Sequence, residues 1–357
     1  MSDIKILNSN LEVVGIIDNY NSLMLVKKYY TNGTFTVKLP LNDDYIKVLK
    51  KNNIIFFDDF AGFIETVEFD MADDGETITL IGKELLAYLA RRINSNVVNF
   101  NGTVENFARR IVNDNCIAAA TTERNIPFLG LGILQSFTET TIMQNSYGNL
   151  LEILNGISQT SNIGFKISFN YKDKKLIFDC YKGADRTVNQ SILAPLIFSR
   201  DYENIMQQTY IESINTYANS ALIAGMGEDV DRKITFIESG TGLDRYEIFV
   251  DARDLQNTVN SVVMTDEDYV ALLKQRGIEK LSDYYSIATF DSTVNTIVTS
   301  DFNVGDIVTV NDRKWGITLD TRITEIQEIY ENGGKTINVT FGNNVPTIYK
   351  KLKKGMI

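Results

Sequence analysis

One stretch of this chain is used twice, and the repeat limits the folds open to it. Ile323 to Gly342 reads ITEIQEIYENGGKTINVTFG and Ile64 to Gly82 reads IETVEFDMADDGETITLIG, aligned at a constant offset of about 259 residues as far as Leu80 and Val339. Each copy predicts a β-hairpin. Alternation defines one face of each first arm, Ile64, Thr66 and Glu68 against Ile323, Glu325 and Gln327. Asp74-Gly75 and Gly333-Gly334 supply turn residues that accept positive φ. A one-residue slip before the closing glycines, Gly82 and Gly342, has the form of a β-bulge. After each glycine comes a basic segment: Lys83 to Ile93, whose leucine spacing predicts a helix, and Val345 to Lys354. The run before the hairpin recurs as well, since Asn53-Ile54-Ile55-Phe56-Phe57-Asp58 resembles Asp306-Ile307-Val308-Thr309-Val310-Asn311. A β-rich unit therefore sits at each end of the chain.

At 357 residues the chain has room for two to three domains, each with its own core. Its 44% apolar and 23% charged residues are those of an ordinary soluble protein. A formal charge of -11 argues against a phosphate-binding surface, which needs clustered Lys and Arg. The N-terminal MSDIKILNSN has no apolar signal core, and no uninterrupted apolar run reaches about 18 residues, so no membrane anchor is expected and the chain reads as made in a cytoplasm. Cys116 and Cys180 stand far apart without a CxxC pattern. There is no histidine, which removes Ser-His-Asp and Cys-His catalysis and every His-ligated metal site. Carboxylate-pair chemistry stays open.

In chain order, Asp3 to Leu7 and Leu11 to Ile17 read as strands joined at Asn8-Ser9-Asn10, with a third from Leu23 to Tyr30. Asn32-Gly33 reads as a tight hairpin turn, after which Phe35, Val37 and Leu39 alternate inward. Tyr29 and Tyr30, adjacent on a strand, are expected to split between core and surface rather than form a stacking platform. From Asn94 to Pro195 the pattern changes to helix plus sheet. Thr103 caps a helix carrying Val104, Phe107, Ala108, Ile111 and Val112 on one face, and a second helix from about Tyr147 carries Leu150, Leu151, Leu154 and Ile157. An alternating hairpin follows, and it puts Cys180 beside phenylalanines as a small buried hydrophobe rather than a reactive thiol. The expected fold class is thus β-rich α+β.

Two groups of residues resemble a known family. Tyr30 to Pro40 is similar to a "YY-x-x-G-x-F-x-(aliphatic)-x-(aliphatic)-P" signature near the start of phage tail hub proteins, the tail-associated, baseplate-hub-like proteins of siphophages and prophages. Phe198 to Asn204, Tyr217 to Gly227, Asp231-Arg232-Lys233 and Gly242 to Leu255 resemble the same family in order and spacing. With the helical pattern from Tyr269 to Leu281, the resemblance spans nearly the whole chain. It implies two duplicated small β-barrel tube domains flanking and joined by α+β domains: a first barrel over 1–93, an α+β domain over 94–195, a second barrel over 196–345 with a helix-containing insertion at about 251–285, and a basic tail over 346–357. It further implies a homotrimer with pseudo-sixfold symmetry at the virion tail tip. Its partners would be a hexameric distal tail or tail tube protein, the tape-measure protein, and a separate spike, fibre or lysin. Many members carry a C-terminal lytic or receptor-binding extension, whereas this sequence stops at Ile357. Peptidoglycan cleavage is therefore not expected of it.

Other candidate chemistry is weak. Gly225-Met226-Gly227-Glu228 follows a strand but lacks the third glycine and helix of a dinucleotide site. Glu228, Asp229 and Asp231 lack the glycine and terminal glutamate of an EF-hand, and read as a solvated turn. Asp251, Arg253 and Asp254 read as ion pairs and end-caps before an acid–base pair. Lys350, Lys351, Lys353 and Lys354 read as a solvated face or subunit contact. No cofactor or metal is expected. The residues expected to shape assembly are the turn and close-approach glycines Gly33, Gly75, Gly82, Gly334 and Gly342, and the inward hairpin residues Ile78 and Ile337. Two functions stay open: a structural tail hub without enzymatic activity, or a carboxylate-dependent cell-wall glycan hydrolase. An acidic wall built to pass DNA should not grip it. No shift of duplex DNA is expected in a gel assay at physiological salt, and a salt-steep shift implying several phosphate contacts would contradict this reading.

Overall fold

The computed structural model describes residues 3–72, 75–259, 261–284, 287–295 and 301–342. The chain opens with β1 (Ile4–Leu7), β2 (Val13–Ile17), β3 (Ser22–Lys28), β4 (Thr34–Pro40), α1 (Asp43–Val48) and β5 (Ile54–Phe57). The first copy of the repeat follows as β6 (Phe60–Ala72) and β7 (Gly75–Glu84). A middle segment holds β8 (Val97–Thr103), α2 (Val104–Val112), β9 (Leu129–Leu131), β10 (Thr140–Ser146), α3 (Leu150–Ser161), β11 (Gly164–Asn170) and β12 (Lys175–Tyr181). Next come β13 (Asp185–Arg186), β14 (Ile197–Ser199) and β15 (Ile205–Ser213). An excursion then carries β16 (Ser220–Ala224), β17 (Ile234–Ile237), β18 (Glu247–Asp251), β19 (Thr258–Val259), β20 (Val262–Val263) and α4 (Asp266–Leu281). The chain returns as β21 (Ile287–Val294), β22 (Ile307–Asp312) and the second copy, β23 (Ile317–Glu331) and β24 (Gly334–Gly342).

The repeat extends well beyond the hairpin. Strand order β3-β4-β7-β6-β5 is matched by β15-β21-β24-β23-β22, antiparallel at every step. One row across the first set runs Leu25, Phe35, Gly82, Ile64, and the corresponding row runs Tyr210, Phe290, Phe341, Ile323. The backbone bonds repeat as well: Ile64 N–H donates to the Asn53 carbonyl at 2.9 Å and Ile323 N–H to that of Asp306 at 2.8 Å. Asn52 and Gly305, which donate back to Ile64 and Ile323, both have left-handed backbones, φ 69° and 99°. Each hairpin buries its inner face in its own core, around Phe35, Ile64 and Leu80 in one case and Phe290, Ile323 and Phe341 in the other.

The two expected closed barrels are replaced, among the described residues, by one open sheet of 14 strands. The reason is the length of β23. Its outer edge pairs with β22 over Ile317–Arg322 and then with β3 over Glu325–Glu331, so one unit runs into the next instead of curling back on itself. Both bulges exist, but on the first arms, where Glu65 and Thr324 are the extra residues. Period-2 alternation therefore flips: Ile64 and Ile323 are buried, Thr66 and Glu68 face solvent, and Ile326 returns to the inner face. The closing glycines are consequently not equivalent, because Gly82 lies opposite Ile64 whereas Phe341 lies opposite Ile323. The segment after Gly82 forms a short 3-10 helix, Leu85–Arg91.

Asn32-Gly33 is not a two-residue turn, because β3 ends at Lys28 and β4 begins at Thr34. Gly33 is needed for proximity: a Cβ there would lie 2.0 Å from the Val26 carbonyl oxygen. Elsewhere the local readings hold. Thr103 caps α2 by accepting from Asn106 N–H, α3 buries Leu150, Leu151, Leu154 and Ile157, and Cys180 packs with Phe178 and Leu176. Gly33→Ala should destabilise the protein by about 2–3 kcal/mol, as overpacking against backbone does. Gly333→Ala, which meets nothing within 4 Å, should shift a urea midpoint little; equal losses in both variants would refute the close-approach role of Gly33.

Candidate assembly surface

The two units meet along β3 and β23, paired from Lys28 opposite Glu325 to Ser22 opposite Glu331. Basic residues of one strand face acidic residues of the other. Lys28 lies 3.4 Å from Glu325 and Lys27 3.7 Å from Glu328, with Lys27 also 2.8 Å from Asp59. Tyr330 packs edge-on against Phe57, centroids 4.9 Å apart. At the end of the ladder Tyr29, almost wholly buried, joins three parts of the chain. Its N–H donates to the Thr324 carbonyl, its hydroxyl donates to the Asn162 carbonyl at the end of α3 at 2.8 Å, and the Arg322 guanidinium sits 4.6 Å over its ring. Gly164 and Gly305 make room for that ring, since a Cβ on either would come within 2.7 Å of it. Tyr30 is partly buried and donates to Asn162 Oδ1; both tyrosines lie beyond the end of β3, so the two rings diverge at a bend rather than on the alternating faces of a strand.

Beside this seam lies a cavity of about 700 Å³ lined by residues that include Lys27, Asp59, Glu84, Lys166, Tyr181 and Glu328. Glu84 accepts from Gly33 N–H at 2.8 Å. Burial pushes its carboxyl up to about 7, against the pull of that N–H and of Lys27. Asp59 and Glu328 are both held by Lys27, and Glu328 also by Lys335 at 3.0 Å.

The residues expected to shape assembly do not form one site. Gly75 and Gly334 sit at the two hairpin tips with φ of 128° and 121° and open space around them. Gly33 and Gly82 lie against the first sheet, Gly82 because a Cβ would meet the Phe63 carbonyl and the Phe35 ring. Gly342, with φ 89°, abuts the Ala288 carbonyl. Ile78 and Ile337 are buried in their respective cores. Asp73-Asp74 and the tail from Val345 to Lys354 lie outside the described residues.

The sequence matches the family model of Siphovirus ReqiPepy6 Gp37-like proteins over residues 3–343. The chain belongs to that family. Its fold is that of solved phage tail proteins. A tail protein from Neisseria meningitidis is 13% identical with a TM-score of 0.62, covering 96% of each chain. Prophage tail protein gp18 from Listeria monocytogenes is 13% identical with a TM-score of 0.60, over 99% of this chain and 98% of that one. The 43 kDa tail protein of prophage MuSo2 from Shewanella oneidensis is 11% identical with a TM-score of 0.57, over 95% and 97%. No match is found among curated protein sequences.

In this family member the stretches that carried the resemblance stitch loops together. Asn204 accepts from Ser199 N–H and donates to the Ile197 carbonyl, closing a turn that sets Phe198 in the core, and Arg200 pairs with the buried Asp312. Asn219 bonds Asp244 and Tyr246 across two loops. Arg232 folds the glycine-containing loop around itself, donating to the carbonyls of Ala224 and Gly225 and to Asp251. Asp251 also pairs with Arg253, whose hydrogen bonds hold its carboxyl down to about 2, and Asp254 pairs with Arg276. These acids are ion-paired, and the cap of α4 is Thr265. Glu228, Asp229 and Asp231 are exposed, and no cluster able to hold a metal occurs among the described residues. Burial pushes the Cys180 thiol up to about 12 and the Cys116 thiol up to about 11.

Sequence reasoning missed the seam itself. Lys27-Lys28 and Glu325 with Glu328 were visible only as separate charges about 300 residues apart. Glu84 was missed too, because its environment is assembled from β3, β4 and the cavity wall. Its raised native pKa means that the folded state holds the proton more tightly, so stability falls as pH rises through about 7. Glu84→Gln keeps an acceptor for Gly33 and removes the titration. Relative to the parent its stability should rise by about 2.5 kcal/mol between pH 5 and pH 8, measured by urea unfolding; an unchanged gap would show Glu84 to be solvated.

Proposed function

We propose that this chain is a structural hub of a phage tail tip or baseplate, a homotrimeric ring that continues the tail tube with pseudo-sixfold symmetry. The observation that carries this reading is the repeated five-strand order, β3-β4-β7-β6-β5 and β15-β21-β24-β23-β22, joined edge to edge in one chain. Two equivalent units per chain present six units when three chains close a ring. The duplicated units are then segments of one tube wall, completed by neighbouring copies rather than closed within each chain. Membership of a siphovirus family and the fold of tail proteins agree with the setting.

On this reading the ring adapts a hexameric tail or tube protein to threefold tip components such as a spike, fibre or lysin, and surrounds the path of the tape-measure protein and DNA. A net charge of -11 suits a wall that passes DNA without holding it. The hydrolase reading draws no support from the carboxylates first weighed for it. Asp251 and Asp254 are tied to arginines on the surface. Electron micrographs of the purified protein, or of tail tips carrying it, should show a three-subunit ring with six similar lobes at one height. A stable free dimer or tetramer by light scattering, with lobes at two levels in the particle, would overturn the proposal.

A further inference from the structure

The internal seam has an unfilled counterpart in the same chain. In the second unit the outer edge of β23 over Glu325–Glu331 is covered by β3. In the first unit the equivalent edge of β6, residues 66–72, has no partner strand among the described residues, since β5 stops at Ile54 opposite Phe63. The far edge of β15, the strand equivalent to β3, is likewise unpaired among the described residues. Each chain therefore offers one edge of each kind, and the two are related as β23 is to β3.

Side chains point the same way. Phe69 is 56% exposed and Met71 79% exposed, whereas their counterparts Glu328 and Tyr330 are covered at the internal seam. Long open edges with apolar side chains are not left bare in stable proteins. The two edges lie at opposite ends of the run β15-β21-β24-β23-β3-β4-β7-β6, which is open in this structure, and a second copy presents to each the kind of edge it lacks.

We infer that β6 of one copy pairs antiparallel with β15 of the next, repeating the β3–β23 seam between subunits. This rests on the ring reading above and adds its register. The ladder equates Leu25 with Tyr210 and Ile64 with Ile323. Since Leu25 pairs with Glu328, the counterpart of Phe69, Phe69 faces Tyr210 of the neighbour and Asp70 faces Thr209. The contact is heterologous, so it propagates around a ring and leaves no free edge when it closes. It also differs chemically from its template. Residues 66–72 and 207–213 contain no lysine or arginine, so the Lys27–Glu328 and Lys28–Glu325 pairs have no equivalent. Backbone pairing and an aromatic contact hold this junction.

The test is disulfide trapping in the full-length protein, whose own cysteines are both buried. Asp70→Cys with Thr209→Cys in one chain alters exposed positions only, and mild oxidation should convert it to covalent oligomers ending at three times the chain mass on a non-reducing gel. Phe69→Cys with Tyr210→Cys should do the same, and the off-register pair Asp70→Cys with Ser213→Cys should stay at chain mass. Light scattering on the same samples separates the two ideas. Trimers that do not cross-link, or that cross-link equally in the off-register control, would overturn the junction and leave the ring standing. Protein that remains monomeric and uncross-linked at high concentration would overturn both.

Discussion

The ladder between β3 and β23 is the contact on which the arrangement of this molecule depends. It joins strands from opposite ends of the chain, and everything between them must fit the geometry it sets. Its backbone bonds supply direction and register, and the Lys27 and Lys28 pairs with Glu328 and Glu325 add selectivity for this partner edge. The partners are partly buried, so these pairs weigh more than exposed ones, though their Coulombic gain is offset by desolvation. Tyr29 then couples the seam to the middle segment through Asn162. One buried aromatic residue thereby ties both β-units and the α+β part into a single body.

Duplication of strand order has not meant duplication of chemistry. Phe35 and Phe290 hold equivalent places, but Phe35 lies over Gly82 whereas Phe290 packs against Phe341. One glycine and one phenylalanine at the same ladder position force different packing beneath them, and each core has adjusted around its own pair. The first-arm edges have diverged in the same manner, with Phe69 and Met71 where the second copy has Glu328 and Tyr330. In the proposed ring, two edges of equal backbone geometry would thus select different partners, one within the chain and one outside it. A ring built from such units needs that distinction, because identical edges would let the wrong units pair.

The polar stretches that carry the family resemblance have a mechanical role. Ser199, Asn204, Asn219 and Arg232 satisfy backbone groups where loops leave the sheet, a requirement that buried backbone imposes on any fold.

What the sequence determined by itself was carried by short-range periodicity. The two hairpins, the cap of α2, the inward face of α3 and the buried Cys180 follow from alternation, helical spacing and turn chemistry, because side-chain direction within a strand or helix is set locally. The missing histidine likewise narrowed the chemistry without any fold. What only the tertiary structure decided was how elements distant in sequence pair. The bulges at Glu65 and Thr324 appear only once the opposite strand is present, and one extra residue there reverses the face of all that follows. Closed barrels gave way to an open sheet because the outer edge of β23 accepts both β22 and β3, and an edge has no signature in the strand that carries it. Backbone donors and acceptors are the same at every residue, so which edge meets which is settled only when the whole sheet forms.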